Sequence, residues 1–140
     1  MAEKSIFQFT DPELLEVVFK KNSDFDAKNE SKPGKLKIEP RIDGYPDDDK
    51  KFYLSLRVAT SGDGDEPYSV NIMMRALFDA KNIQDLNQIK QFARVNAPAL
   101  VYSYIRPLIA YLANQSGNGP FHLPFYNFST SDNKENKRDS

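Results

Sequence analysis

The chain of 140 residues contains no cysteine and no tryptophan, and its only histidine is His122. Without thiols it forms neither disulfide bonds nor thiolate metal sites, which fits a reducing compartment. A single histidine lacks the second imidazole or thiolate that a metal site requires. No motif supplies His122 with a serine or carboxylate partner for catalysis. The sequence therefore predicts no metal, no cofactor and no enzymatic activity.

An excess of one charge sign and a long apolar run are also missing. There are 19 basic residues against 20 acidic ones, and no basic run that would bind phosphates. The first ten residues, MAEKSIFQFT, lack the apolar core of a signal peptide. No apolar stretch reaches membrane length. We therefore expect a cytoplasmic protein with no nucleic-acid partner and no membrane insertion.

Four segments are predicted β-strands, namely residues 6–22, 36–42, 52–59 and 68–78. The first combines alternation at Phe7 and Phe9 with a run over residues 14–19 that is rich in β-branched and aromatic residues, and the other three alternate apolar and polar residues. The first is interrupted at Asp11 and Pro12, which predicts a bulge or bend, although a helix over residues 12–19 is an alternative interpretation. Pro40 favours an edge position for the second strand. Short turns between the strands predict an antiparallel meander.

One of these turns, residues 43–50, contains the three consecutive aspartates Asp47, Asp48 and Asp49. A solvated loop tip is the simpler interpretation of this run. An acidic docking site for a partner is the alternative.

Two helices follow the strands. Residues 83–95 place apolar side chains three apart, with Asp85 as the expected N-cap. A longer helix is predicted from about Ala97 to Ala113, with Asn96 as its cap and Pro98 in its first turn. Strands followed by helices predict an α+β fold, with one four-stranded sheet and both helices on one face. We expect a single domain over residues 1–128 and a disordered polar tail over residues 129–140.

The longer helix is apolar nearly all round, which predicts burial on two sides. One side forms a small-residue strip, where a second copy of the chain is expected to pack. The strip consists of Ala99, Ser103, Arg106, Ala110 and Ala113.

Two motifs in this region resemble a known family. Residues 96–106 read NAPALVYSYIR, and residues 123–128 read LPFYNF. Together they are similar to the helix signature of SecB-type protein-export chaperones and to the Leu-Pro-Pro-x-Asn-Phe that follows it. Two departures are visible: Ser103 stands in place of the usual proline, with Pro107 one turn later, and no second long helix follows Phe128.

The resemblance implies an ATP-independent holdase that keeps client polypeptides unfolded, delivers precursors to the SecA motor and assembles as a homotetramer, a dimer of dimers. A role in the same family is protection of the antitoxin of a toxin-antitoxin pair. Lys20 stands where the family often has an acid, so we expect weak coupling to SecA. The alternative of another class is a small ligand-binding or enzymatic α+β domain.

An aromatic, proline-rich arm follows the long helix at residues 120–128, and regular helix is excluded there by its prolines. Its rings are interpreted either as a cluster that covers the edge of the sheet or as an exposed surface for apolar clients. In the resemblance, an apolar groove lies between the sheet, the crossover helix and this arm. The predicted client-binding residues are Leu86, Ile89, Phe92, Phe121, Phe125, Tyr126 and Phe128.

Overall fold

The computed structural model describes residues 8–22, 36–60, 68–118 and residue 128. It confirms the predicted α+β class, with an antiparallel sheet and helices that pack on one of its faces. The five strands are β1 (Gln8–Phe9), β2 (Glu13–Lys21), β3 (Leu36–Tyr45), β4 (Asp48–Thr60) and β5 (Tyr68–Asp79). Two α-helices follow, α1 (Leu86–Gln91) and α2 (Ala97–Ala113).

The order of the strands differs from the predicted meander at one end. Strands β3, β4 and β5 are joined as a meander, but β1 and β2 pair with the outer side of β5. The N-terminal strands thus lie beside the last strand and not beside β3, which is the Greek-key arrangement. Alternation along a strand shows which face is buried but not which neighbour it has, so the sequence pattern left this pairing open.

The N-terminal strand is interrupted, as predicted. β1 pairs with Phe78 and Asp79, the chain bends at residues 10–12, and β2 resumes opposite Arg75. A register shift between Leu14 and Glu16 adds a bulge. The alternative of a helix over residues 12–19 is wrong, because backbone pairing with β5 holds this segment extended.

The turn between β3 and β4 is much shorter than the predicted residues 43–50. Pairing continues to Tyr45 and Asp48, so Pro46 and Asp47 alone form the corner. Asp47 has a φ of 62°, a conformation that aspartate tolerates better than most residues. Strand β3 lies at the end of the sheet, which confirms the edge position predicted from Pro40.

The two helices form one continuous helical rod. Asp85 caps α1 as predicted, because its carboxylate accepts a hydrogen bond from the backbone N–H of Asn87 at 2.9 Å. A π-helical turn, Phe92–Asn96, then joins α1 to α2. Pro98 has no N–H to donate to the carbonyl one turn earlier, which favours this irregular turn.

The predicted N-cap at Asn96 is wrong. Asn96 is itself helical, with φ −79° and ψ −40°, and its side chain makes no capping bond within the described chain. The first amide of α2, that of Ala97, donates to the carbonyl of Phe92 instead. The preceding turn therefore supplies acceptors that a cap would otherwise have to provide.

Helix α2 covers β4 and β5 through a row of side chains spaced four apart. The row consists of Ala97, Val101, Ile105, Ile109 and Ala113, all fully buried. Burial of Ile105 and Ile109 contributes about 1.5–3 kcal/mol each. Hydrogen bonding of α2 continues past Pro107 to Ala113. The opposite side of α2, including Tyr104 and Tyr111, is exposed in the single chain, so burial is one-sided here.

Candidate functional site

A groove of about 950 Å³ lies between the β3–β4 hairpin and the helical rod of α1 and the π-helical turn. Its apolar surface comes from Ile42 and Phe52 on the sheet side and from Ile89 and Ala93 on the helix side. Ile42 is 46% exposed, whereas Phe52, Ile89 and Ala93 are 5–6% exposed and belong to the buried core. The groove is thus an apolar recess that opens to the surface, which suits an apolar side chain of a ligand.

The absence of a side chain at Gly44 helps to keep this groove open. Gly44 lines it and pairs with Phe52, so its missing side chain lies on the helix face of the sheet. A Cβ atom placed there would meet no described heavy atom within 4 Å. Gly44 does not have a positive φ. Neither the backbone conformation nor crowding by neighbouring atoms requires glycine at this position. The effect of Gly44 is therefore to leave space in the groove.

Stacked aromatic rings support one end of the groove. The ring of Phe52 stacks on that of Phe78, with centroids 5.2 Å apart, and Phe78 also stacks on Phe9 at 5.3 Å. Phe92 meets the edge of Phe78 at 5.7 Å. These contacts join β1, β4, β5 and the π-helical turn, and such ring pairs add to simple area burial. The groove therefore stands on rigid core residues.

The two rims of the groove carry opposite charge. On the hairpin side lie the carboxylates of Asp47, Asp48 and Asp49. On the helix side lie Lys90 and Arg94, both exposed. Among the described residues, no ion pair joins the two rims. Of the aspartates predicted as a solvated tip or an acidic docking site, Asp47 and Asp49 are exposed and Asp48 is half-buried, and all three border the groove.

The predicted client-binding residues occupy different positions. Ile89 lines the groove, Leu86 is 49% exposed one turn earlier, and Phe92 is half-buried against Phe78. Phe128 is buried in the core, where its ring meets the edge of Tyr102 at 5.9 Å. The other three arm residues lie outside the described residues, namely Phe121, Phe125 and Tyr126. His122 lies outside the described residues too.

The sheet side of the groove is not among the residues predicted from the sequence. The sequence pattern assigns Ile42, Gly44 and Phe52 to strands or to a turn, but not to a site. The usable signal was Ile42 on the apolar face of a predicted edge strand, followed two residues later by glycine. That pattern shows an apolar side chain beside an empty position on the same face.

The small-residue strip of α2 is only partly at the surface. Ala99, Ser103 and Arg106 are exposed, and Ala110 is half-buried. Ala113 is fully buried in the core and so does not belong to an exposed strip. The hydroxyl of Ser103 donates to the carbonyl of Leu100 at 2.6 Å, a local bond that satisfies it within the helix.

A second apolar surface follows strand β2. Leu14, Leu15, Val17 and Val18 are each 43–45% exposed. Within the described part of the chain, β2 pairs with β5 on one side only. Exposed aliphatic side chains along an unpaired strand edge are typical of a surface that another strand covers.

Ion pairs hold β2 to the sheet on the face opposite the helices. Arg57 donates to Glu16 at 2.9 Å and also contacts Asn71 and Met73. Arg75 donates to Glu13 at 2.9 Å and lies over the ring of Tyr53 at 4.7 Å. The hydrogen bond to Glu13 raises the pKa of the Arg75 guanidinium. Both glutamates are therefore engaged within the chain.

Other kinds of site are not formed by the residues that the structure describes. No group of three or more His, Cys, Asp or Glu side chains is placed to hold a metal ion among them. In the same residues, no helix has the length and apolarity needed to cross a membrane. The geometry offers an apolar groove and an apolar strand edge, which are surfaces for polypeptide binding.

Comparison with known proteins agrees with a protein that binds polypeptides. The family model of SecB, preprotein translocase subunit SecB, matches residues 17–137. The chain therefore belongs to the SecB family of chaperones, which confirms the resemblance found in the two motifs. No curated protein is significantly similar to the chain in sequence.

Solved structures share the fold. One is the SecB-like chaperone Rv1957 of Mycobacterium tuberculosis, in complex with a ChAD peptide from the antitoxin HigA1. The match has a TM-score of 0.67 at 18% identity, and it covers 86% of this chain and 90% of that one. At this identity the likeness is one of fold.

Proposed function

We propose that the chain is an ATP-independent holdase that binds unfolded client polypeptides, and that the groove between the β3–β4 hairpin and α1 receives an apolar side chain of the client. The observation that carries this proposal is an open apolar recess lined by Ile42, Phe52, Ile89 and Ala93 in a member of the SecB family. The role is non-enzymatic, since binding alone keeps a client from aggregating.

The groove suits many clients. Apolar burial is non-directional, and one fully covered aliphatic or aromatic side chain contributes about 1.5–3 kcal/mol. Such an increment alone gives weak binding, so several contacts along a client have to add up. Broad selectivity with reversible binding is what a holdase requires.

The variant Gly44→Leu tests this site. Leucine adds a side chain on the groove side of β3, where a Cβ atom would meet no described heavy atom within 4 Å, so it takes up space in the groove. We expect client affinity to fall about tenfold to a hundredfold, the equivalent of one lost apolar contact. The measurement is suppression of aggregation of an unrelated denatured protein, together with Kd for an apolar peptide.

The matched control is Glu39→Leu. Glu39 lies on the same strand, but it pairs with Arg57 on the opposite face of the sheet. We expect unchanged client affinity for this variant and an unchanged Tm for both. If Gly44→Leu binds clients as well as the unmodified chain, the groove is not the client site. If the unmodified chain binds one small molecule tightly and suppresses no aggregation, the alternative of a ligand-binding or enzymatic domain is favoured instead.

The family and the structurally similar chaperone support two client classes. Export precursors fit a family described as a preprotein translocase subunit. An antitoxin is the second candidate, supported by the HigA1 peptide bound to the structurally similar chaperone. Both clients are encountered in the cytoplasm, which is the proposed location. Weak coupling to SecA is expected, because Lys20 is exposed and because Glu13 and Glu16 are already paired with arginines.

Assembly into a homo-oligomer, with a tetramer implied by the family, is part of the proposal. Two exposed apolar surfaces support it, the edge of β2 and the outer side of α2 around Ala99 and Tyr111. Strand β2 carries Glu13 and Glu16 in its first half and two lysines at its end. Antiparallel pairing of two β2 strands would bring the acidic half of one toward the basic end of the other.

A further inference from the structure

We propose that the groove selects client segments in which an apolar residue is flanked by basic residues on one side and acidic residues on the other. This inference rests on the proposed function, because it assigns a charge pattern to the client of that same groove. The observation is the opposite charge of the two rims, Asp47–Asp49 on the hairpin and Lys90 with Arg94 on the rod.

These rim charges remain available to a ligand. Asp48 accepts from the backbone N–H of Lys50 at 3.0 Å, and Arg94 donates to Gln91 at 3.1 Å, and neither belongs to an ion pair among the described residues. Lys51 also lines the groove, but its ammonium lies over the ring of Tyr45, 4.9 Å from the centroid. The hairpin rim therefore has three carboxylates against one ammonium, and the helix rim has two cations.

The positions of the two charged rims predict a charge pattern in the client. A client whose apolar side chain enters between Ile42 and Ile89 has neighbours that leave the groove on both sides. Neighbours that pass the hairpin meet negative potential, and those that pass the rod meet positive potential. Charge complementarity of this kind acts mainly on selectivity, and like charges on a rim are repelled.

The experiment uses the full chain and four synthetic peptides that share a Leu-Phe-Leu centre. One has lysines before the centre and glutamates after it, and the others have lysines on both sides, glutamates on both sides or serines on both sides. Binding is measured by fluorescence anisotropy at low salt. We expect the bipolar peptide to bind about threefold to tenfold tighter than the other three, a modest effect because the rims are exposed. At about 1 M salt the difference should disappear.

A rim variant sharpens the test. The double change Lys90→Glu with Arg94→Glu makes both rims acidic, so the all-lysine peptide should become the preferred ligand. The milder pair Lys90→Gln with Arg94→Gln, checked by an unchanged Tm, should abolish the preference of the bipolar peptide over the all-lysine one.

Two failures can be distinguished. If all four peptides bind equally and the rim variants change nothing, the charge pattern is wrong, and the client site is then decided separately by Gly44→Leu. If none of the peptides binds, both this inference and the proposed client site are wrong.

Discussion

The two edge strands of the sheet, β2 and β3, differ in how readily another strand can pair with them. At one end, β2 has no proline and exposes Leu14, Leu15, Val17 and Val18. At the other end, β3 contains Pro40, and charged residues alternate along its open face at Lys37, Glu39, Arg41 and Asp43. Proline and charge are the usual means of preventing edge-to-edge pairing, and because β2 also carries charged residues, the difference lies in Pro40 and in the exposed aliphatic side chains of β2. The β3 edge is thus guarded, and the β2 edge is suited to being covered.

The difference separates two roles in one sheet. The guarded edge borders the groove proposed to receive clients, so permanent strand pairing there would block that proposed site. The apolar edge lies at the far side of β5, away from the groove. Covering β2 with a second copy would therefore leave the proposed client site open.

The largest expected effect is the loss of assembly when the exposed edge of β2 is changed. Val17 and Val18 lie on opposite faces of this strand, opposite Ile72 and Asn71 respectively. The double change Val17→Lys with Val18→Lys places charge on both faces, which should prevent strand pairing. Light scattering should show the mass falling from that of an oligomer to that of one chain, 16.0 kDa.

Ile42→Lys on β3 is the matched control, because Ile42 is 46% exposed and Val18 45%. It should leave the mass unchanged while weakening client binding in the groove. An equal loss of assembly in both variants would contradict the comparison. So would an unmodified chain that is monomeric at high micromolar concentration.

A smaller effect concerns the attachment of β2 to the core. Phe19 is half-buried and stacks on Tyr68, with ring centroids 5.1 Å apart. Phe19→Ala should lower the free energy of unfolding by about 2–3 kcal/mol, less than for a fully buried phenylalanine. Ile42→Ala on the guarded edge should cost under about 1 kcal/mol, because half of that side chain is already in water. Urea denaturation measures both, and equal losses would show that the two edges are attached alike.

The smallest expected effect concerns the ion pair across β2 and its neighbours. Glu16→Gln removes the charged partner of Arg57, which keeps its bonds to Asn71 and Met73. Both side chains are partly exposed, so the free energy of unfolding should fall by only about 0.2–1 kcal/mol. The loss should shrink at high salt, because the pair is then screened. A loss that is independent of salt in urea titrations would mean that packing, and not charge, holds this position.

Local chemistry was readable from the sequence. Period-two alternation located the strands, Pro40 marked an edge, and the carboxylate of Asp85 marked the start of α1, because each of these signals acts within a few residues. Two motifs, at residues 96–106 and 123–128, were enough to place the chain in its family. The assignments at Phe121, Phe125 and Tyr126 remain predictions.

Only the tertiary structure decided which distant segments meet. The N-terminal strands lie beside β5, and the π-helical turn removes the need for a cap at Asn96. The groove joins residues 42–52 with residues 89–94, so that Asp47 and Arg94 border the same recess. Strand alternation fixes the buried face but leaves the neighbouring strand undetermined, since several pairings bury the same side chains. The position of the groove and the charge of its rims depend on which strands lie side by side, so the sequence alone did not reveal them.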